Sequence, residues 1–431
     1  MQSNLKRRRA AMNITIATMG TRGDVQPYVA LGKGLQRAGH TVRIATFANF
    51  APFVQRHGLA FAPIAGDSIA LMEAIIHAGT NPLAFMHSSY QFYRPIMEQV
   101  LEDTRRACEG ADLVVCQLVC IYTYHLAEKL GIPCIQAFVM PFHRTRAFPS
   151  IMSPPGWNLG GLYNLLTHIV SEQAFLHTFG TDLNRWRQSL GLAPLPRHRW
   201  PYHCLHGHPI PVLYGFSPSL IPRPPDWDRH IHITGHWFLD GDPSWQPPAD
   251  LCDFLADGTP PVYVGFGSIT GKDFGTLSAM VLEALQKAGQ RGVLLSGWGG
   301  LTSSDGSDRV LVIDGAPFEW LFPRMAAVVH HGGIGTTTAG LRAGVPSVIV
   351  PFAFDQPFWG QRVQALGVGP SPILHTRLTV SRLAEAIRQA ASNPTLRERA
   401  THLGQRVRAE DGIARAVEII EQHASWLRSR R

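Results

Sequence analysis

Apolar and polar positions along this chain switch repeatedly between a period of two and a helical period. "NITIATM" (13–19) is a short strand-like run. "PYVALGKGLQRAGH" (27–40) places its apolar residues on one helical face, with Pro27 in the first turn and Gly39 as a stop signal. "TVRIATF" (41–47) is strand-like again. Strand, helix and strand in about 35 residues predict a right-handed parallel crossover, the unit of a doubly wound α/β sheet. "ADLVVCQ" and "IPCIQAF" continue that sheet, with the helical "IYTYHLAEKLG" between them.

From Pro141 to Leu220 the alternation is lost, and aromatic residues gather at Phe142, Phe148, Trp157, Tyr163, Phe175 and Trp186. The proline cluster "SPSLIPRPPDWD" reads as a stiff, extended connection between domains. A second alternating series follows: "PVYVGFGS", a helix over "FGTLSAMVLEALQKAG", "GVLLSGW", "RVLVIDG", "AAVVHHGG", a helix over "TTTAGLRAG", and "PSVIVPF". Two tandem doubly wound domains are therefore expected, with a cleft between them and ligands at the carboxyl ends of the strands. The expected divisions are a disordered leader (1–11), a first domain (12–220), a linker (221–231), a second domain (232–405) and a terminal helix (406–431).

Composition narrows the function classes. At 431 residues, 45% hydrophobic and 16% charged, the chain has enough apolar content for two sizeable cores. Its net charge of +8 sits in the tails: Lys6, Arg7, Arg8, Arg9, Arg428, Arg430 and Arg431 account for all but one of the net charges. The body is nearly neutral, which argues against a nucleic-acid face and leaves the basic termini as the parts able to touch an anionic membrane surface. Six scattered cysteines without a C-x-x-C pair read as reduced thiols. The apolar run after the basic leader is short and carries Asn13, Thr15 and Thr18, unlike a secretory signal, and no segment approaches a membrane span. A cytoplasmic protein is expected, with any membrane contact peripheral.

The candidate chemistry sits at strand ends. In "VVHHGGIGTTTAGLRAGVP" (328–346), Gly332, Gly333 and Gly335 let the backbone approach a ligand, and the following helix N-terminus favours an anion. Thr336, Thr337 and one of His330 and His331 add donors, so a diphosphate fits this turn. A plain strand-to-helix turn with a Thr cap is the alternative. "VGFGSITGK" resembles a P-loop but has Phe266 and Asp273 where that motif needs Gly and Ser or Thr, so Gly267 and Ser268 are instead expected to line the same anion site. Asp355 and Gln356 in "PFAFDQPFWGQRV" suit vicinal sugar hydroxyls, though Asp-Gln-Pro is equally a turn sequence. In "MGTRGDVQP", Asp24 follows the first strand and the glycines Gly20 and Gly23, where it either caps the next helix or accepts a proton from a substrate hydroxyl.

Long matches in order, "MGTRGDVQPYVALGKGLQRAGHTV", "MPFHRTRAFP", "YGFSPSLIPRPPDWDRHIHITGHWFLD", "VGFGSI" and "APFEWLFPRMAAVVHHGGIGTTTAGLRAGVPSVIVPFAFDQPFWG", resemble the sterol glucosyltransferases and the glycopeptide-antibiotic glycosyltransferases of GT-B architecture. The resemblance runs from Met12 to about Leu403. It implies that the second domain binds a nucleotide sugar, UDP-glucose ahead of a dTDP sugar, that the first binds the acceptor, and that the last helix crosses back onto the first domain. By motif, His331, Gly333, Gly335, Thr336 and Thr337 hold the diphosphate with Ser268 assisting. Asp355 and Gln356 grip the sugar, and Asp24 is the general base of an inverting transfer. Phe318 stands where these relatives often have His, leaving Trp298 in "SGWGG" as the stacking candidate for the base.

The aromatic stretch with Met140, Phe142, Phe148, Met152 and Trp157 implies an apolar acceptor such as a sterol, lipid, carotenoid or polyketide. No acidic pair on a short spacing offers a metal site, and neither a metal nor a further cofactor is expected. A nucleotide-sugar epimerase on the same architecture and a non-catalytic nucleotide-sugar-binding module remain open alternatives.

Overall fold

The computed structural model describes residues 10–154, 156–196, 200–239, 241, 244–267, 274–296 and 307–428. The first half builds β1 (Asn13–Ala17), α1 (Arg22–Arg37), β2 (Thr41–Phe47), α2 (Ala51–Arg56), β3 (Ala60–Ile64), α3 (Ser68–Ala78), α4 (Pro82–Tyr93), α5 (Met97–Ala107) and β4 (Leu113–Cys116). It continues through α6 (Thr123–Leu130), β5 (Cys134–Phe138), α7 (Gly161–Ser189), a small hairpin of β6 (Cys204–Leu205) and β7 (His208–Pro209), β8 (Val212–Tyr214) and β9 (Ile231–Ile233). Seven strands pair in parallel in the order β3-β2-β1-β4-β5-β8-β9. Strands β4 and β5 are buried along their whole length because helices cover both faces; β4 accordingly reads as an unbroken apolar run, and Gln136 of β5 donates to the Tyr202 carbonyl at 2.6 Å.

The second half holds α8 (Ala249–Ala256), β10 (Val262–Gly265), α9 (Phe274–Ala288), β11 (Gly292–Leu295), β12 (Val310–Ile313), α10 (Phe318–Leu321) and β13 (Ala327–His330). Next come α11 (Ile334–Ala343), β14 (Ser347–Ile349), α12 (Gln356–Ala365), α13 (Val380–Ser392), α14 (Pro394–Arg408) and α15 (Gly412–Arg428). Its five strands are parallel, in the order β12-β11-β10-β13-β14. Strand order reverses between β1 and β4 in one sheet and between β10 and β13 in the other, and these are the points where such sheets open a crevice. Among the described residues no helix is long and apolar enough to cross a membrane.

Three local features differ from the sequence expectation. Helix α1 starts at Arg22, so Pro27 lies in its second turn and Asp24 in its first turn rather than in a loop. The proline-rich stretch is not a free linker. Trp227 stacks on Tyr214 with ring centroids 4.9 Å apart, and β9 pairs with β8, so the first sheet extends to Ile233, past the expected domain end at residue 220 and through the expected linker 221–231. The irregular aromatic region contains a 29-residue helix, α7.

The chain passes to the second domain beyond Gly235 and returns at Gly412, and the two crossings touch: a Cβ on Gly412 would lie 2.5 Å from the Gly235 carbonyl. Beyond that point α15 packs on α1, where the absent side chain of Gly34 admits Ile413, and His40 Nε2 meets Glu421 at 3.4 Å.

Candidate active site

One cleft of about 1550 Å³ lies between the two sheets and is lined from both sides. From the first domain come Asp24, Gln117, Met140, Phe142, His143 and the inner face of α7; from the second come Gly267, His331, Gly333, Gly335, Thr336, Asp355 and Gln356. Asp24 and Gln117 stand just beyond β1 and β4, and Gly267 and His331 just beyond β10 and β13, so the two crevices face each other across this space.

Asp24 is both a cap and a cleft residue. Its Oδ2 accepts from the Thr21 backbone N–H (2.8 Å) and the Thr21 hydroxyl (3.0 Å), closing the first turn of α1. Its Oδ1 accepts from Gln117 Nε2 at 3.2 Å, and that amide is oriented because its own Oε1 accepts from the Met19 N–H at 2.9 Å. Gly20, at φ +140°, makes room: a Cβ there would stand 2.3 Å from Asp24 Oδ2. Burial raises the Asp24 pKa, opposed by the Thr21 and Gln117 hydrogen bonds, which makes its carboxylate more basic than an exposed one. Sequence reasoning misses Gln117, although a polar residue closing the apolar run "ADLVVCQ" is the signal a strand-end functional group leaves.

On the opposite wall His331 lies between two glycine turns. A Cβ on Gly267 would come within 3.2 Å of its Cε1, and one on Gly333 within 2.5 Å of its Nε2. Its Nδ1 is buried with no hydrogen-bond partner among the described residues, and burial holds its pKa down at about 4, so the ring is neutral. His330 is fully buried and accepts from the Gly332 N–H at 3.1 Å; it fastens the turn rather than facing the cleft. Gly333 caps α11, whose free N–H groups open onto the same space as Thr336. Thr337 departs from expectation. It is fully buried and donates to the Gly333 carbonyl at 2.9 Å, the back-bond open to a helical Thr, so its hydroxyl is spent inside α11.

Asp355 Oδ2 accepts from Trp359 Nε1 at 2.7 Å, and Gln356 Oε1 accepts from the Phe352 and Ala353 N–H groups at 2.7 and 3.0 Å. Gln356 can therefore offer a ligand only its amide donors. The adjoining Phe354 sits at φ +49° and stacks on Phe85 of α4 at 4.2 Å, a strained non-glycine backbone held at the cleft edge by a contact across the domains.

Burial first, with the Asp24 charge adding, pushes the Asp355 carboxyl up to about 7, while the Trp359 hydrogen bond opposes the shift. Between the ordinary carboxylate range and about pH 7 the folded protein retains a proton that the unfolded chain has released, so stability falls as pH rises through that window. Asp355→Asn, which still accepts from Trp359, is expected to raise Tm at pH 8 and to leave it little changed at pH 4 in thermal unfolding followed by circular dichroism.

The acceptor candidates divide. Met140, Phe142 and Met152 line the cleft. Phe148 does not; it packs among His168, Trp227 and Phe358 beneath the loop. Trp157 is 57% exposed and outside the cleft, because the chain turns to the surface before α7. Ser268 and Trp298 lie outside the described residues. Among the described residues no group of three or more His, Cys, Asp or Glu is placed to hold a metal ion.

Residues 14–149 match the Glycosyltransferase family 28 N-terminal domain, and residues 303–422 match the Erythromycin biosynthesis protein CIII-like, C-terminal domain. Among solved structures, the calicheamicin glycosyltransferase CalG4 superposes with a TM-score of 0.72 at 20% identity, covering 96% of this chain and 98% of that one. The Streptomyces sp. SF2575 glycosyltransferase SsfS6 complexed with thymidine diphosphate gives 0.65 at 21% identity, covering 95% and 99%. These likenesses define the class, the GT-B glycosyltransferase fold.

The chain is 38% identical to a sterol 3-beta-glucosyltransferase of Cryptococcus neoformans var. neoformans serotype D and 40% identical to one of Emericella nidulans, over 97% and 95% of its own length. Over nearly its whole length the chain is therefore homologous to sterol 3-beta-glucosyltransferases. It spans 27% and 30% of the length of those two relatives.

Proposed function

We propose that the protein is an inverting glycosyltransferase that moves glucose from UDP-glucose to the hydroxyl of an apolar acceptor, a sterol or other lipid alcohol. The observation that carries this reading is the opposition of two walls in one cleft: a basic carboxylate, Asp24, on one side and a neutral histidine beside a helix N-terminus on the other. The relatives' name, sterol 3-beta-glucosyltransferase, supports glucose and a sterol class of acceptor. Thymidine diphosphate in SsfS6 supports a dTDP sugar as the second donor.

In this mechanism the diphosphate rests on the N–H groups at the start of α11, with His331 and Thr336 as further donors. Asp355 and the amide of Gln356 hold sugar hydroxyls. The acceptor oxygen attacks the anomeric carbon as its proton passes to Asp24, and the bond to the nucleoside diphosphate breaks on the opposite face, inverting the centre. Charge grows on the leaving phosphate in the transition state, and donors already aimed there lower the barrier. The anion is met by helix-end and side-chain donors in place of a divalent ion.

Incubation with UDP-glucose and cholesterol in cyclodextrin, in excess EDTA, is therefore expected to release UDP and yield a β-linked glucoside. An isolated product with retained configuration, or an epimerised free sugar, overturns the assignment. Turnover lost in EDTA and restored by magnesium or manganese overturns the metal-free mechanism.

A further inference from the structure

Beyond Asp24, the acceptor half of the cleft contains several polar groups, and most of them are satisfied by one another. Ser150 and Ser171 share a hydrogen bond of 2.8 Å, and Ser171 also donates to the Thr167 carbonyl. Glu172 is bound by the Arg144 guanidinium, and His168 Nε2 lies 3.1 Å from the Phe148 carbonyl. His143 differs.

Its partner is Tyr214 at the end of β8, fully buried, whose hydroxyl oxygen accepts two backbone N–H groups, those of Phe142 and His143, at 3.0 Å each. A phenolic hydroxyl has two lone pairs and one hydrogen. With both lone pairs engaged, the hydrogen goes to the one acceptor beside it, His143 Nδ1, at 2.7 Å. His143 must then carry its own proton on Nε2. Protonating Nδ1 as well would aim an N–H at an oxygen with no lone pair left, and burial, with His203, His230 and His168 adding, already holds this imidazole near pKa 3. The ring is thus neutral and fixed in one tautomer. It lines the cleft with Met140 and Phe142, and no described residue accepts from its Nε2.

We infer that His143 is a specificity-determining residue whose Nε2–H donates a hydrogen bond to an uncharged oxygen, hydroxyl or carbonyl, of the apolar acceptor. This rests on the glycosyl-transfer reading for the identity of the ligand, but the tautomer itself does not. A neutral donor selects for a lone pair and against an ammonium, which has none to offer. It is also cheap to bury with hydrocarbon around it once paired, whereas a charged donor there would not be. A sterol or lipid alcohol, one oxygen on a large apolar body, has the matching chemistry.

The experiment has two readings. Two-bond proton–nitrogen spectra of the histidine-labelled protein are expected to show residue 143 as the Nε2–H tautomer, unchanged from pH 8 to pH 5, with His143→Phe supplying the assignment. In Tyr214→Phe, which removes the constraint, the second tautomer is expected to appear. An Nδ1–H tautomer, or a ring that titrates in that range, overturns the inference whatever the substrate. In steady-state assays with UDP-glucose and cyclodextrin-held cholesterol, His143→Phe is expected to raise the cholesterol KM about tenfold while the UDP-glucose KM holds, the size of one buried hydrogen bond. An unchanged cholesterol KM in a folded variant also overturns it. Should wild type glucosylate no alcohol at all, the transfer reading fails, and the spectra, which need no substrate, still decide the donor at residue 143.

Discussion

Replacing Asp24 by Asn is expected to lower kcat by about 100-fold or more, with the dissociation constant for UDP little changed. General-base catalysis commonly contributes about 10²- to 10⁴-fold, and an amide cannot take the proton. The variant keeps the cap to Thr21 through its oxygen, but its amide nitrogen then faces Gln117 Nε2, donor against donor. Tm belongs beside kcat for that reason. A folded Asp24→Asn variant with near-normal turnover would leave Asp24 as a cap alone.

His331→Ala is expected to weaken UDP binding by about 10- to 100-fold in calorimetric titration, because a hydrogen bond to a charged group contributes about 1.5–3 kcal/mol. The comparison with His330→Ala is informative because the two rings occupy different environments. His330 holds the Gly332 N–H from inside the core, so its loss is expected to lower Tm and to cost less affinity. Equal UDP affinities in wild type and His331→Ala would remove His331 from the diphosphate site.

The sheets were legible because buried strands leave short, largely apolar runs, and β1, β2, β4, β5, β10 and β13 all fall on such runs, broken by residues such as Thr15, Arg43 and Gln136. Asp24 and His331 were legible for a related reason: a parallel sheet delivers whatever follows a strand to its carboxyl edge. Helix α7 was not. Leu162, Leu166 and Val170 occupy its outward face and are 66%, 49% and 65% exposed, while Asn164, His168 and Glu172 are buried, so the pattern of its N-terminal half runs opposite to that of an ordinary amphipathic helix. The end of the first domain was misplaced because prolines signal extended chain but not what the chain packs on, and here Trp227 and Ile231 pull it onto the sheet. The role of Thr337 is not legible, because sequence gives the hydroxyl's neighbourhood but not its rotamer, and the Gly333 carbonyl claims it.

The contact between Gly235 and Gly412 has a mechanical consequence. Two passages of chain that meet backbone to backbone form a pin beside the side-chain contacts between the halves, such as Phe354 on Phe85 and Arg362 on the Leu220 carbonyl, so a shift of one half would drag both passages at once. The absence of side chains at the two positions keeps the pin thin, since a Cβ on Gly412 would meet the Gly235 backbone. It also means that the halves are held by two covalent paths of unequal kind. One is the connection beyond Gly235. The other is a return passage that grips through Glu410, which accepts from the Ser217 and Ser219 hydroxyls at 2.6 and 3.1 Å, and through the packing of α15 on α1, so the first half owes part of its own wall to chain that follows the second.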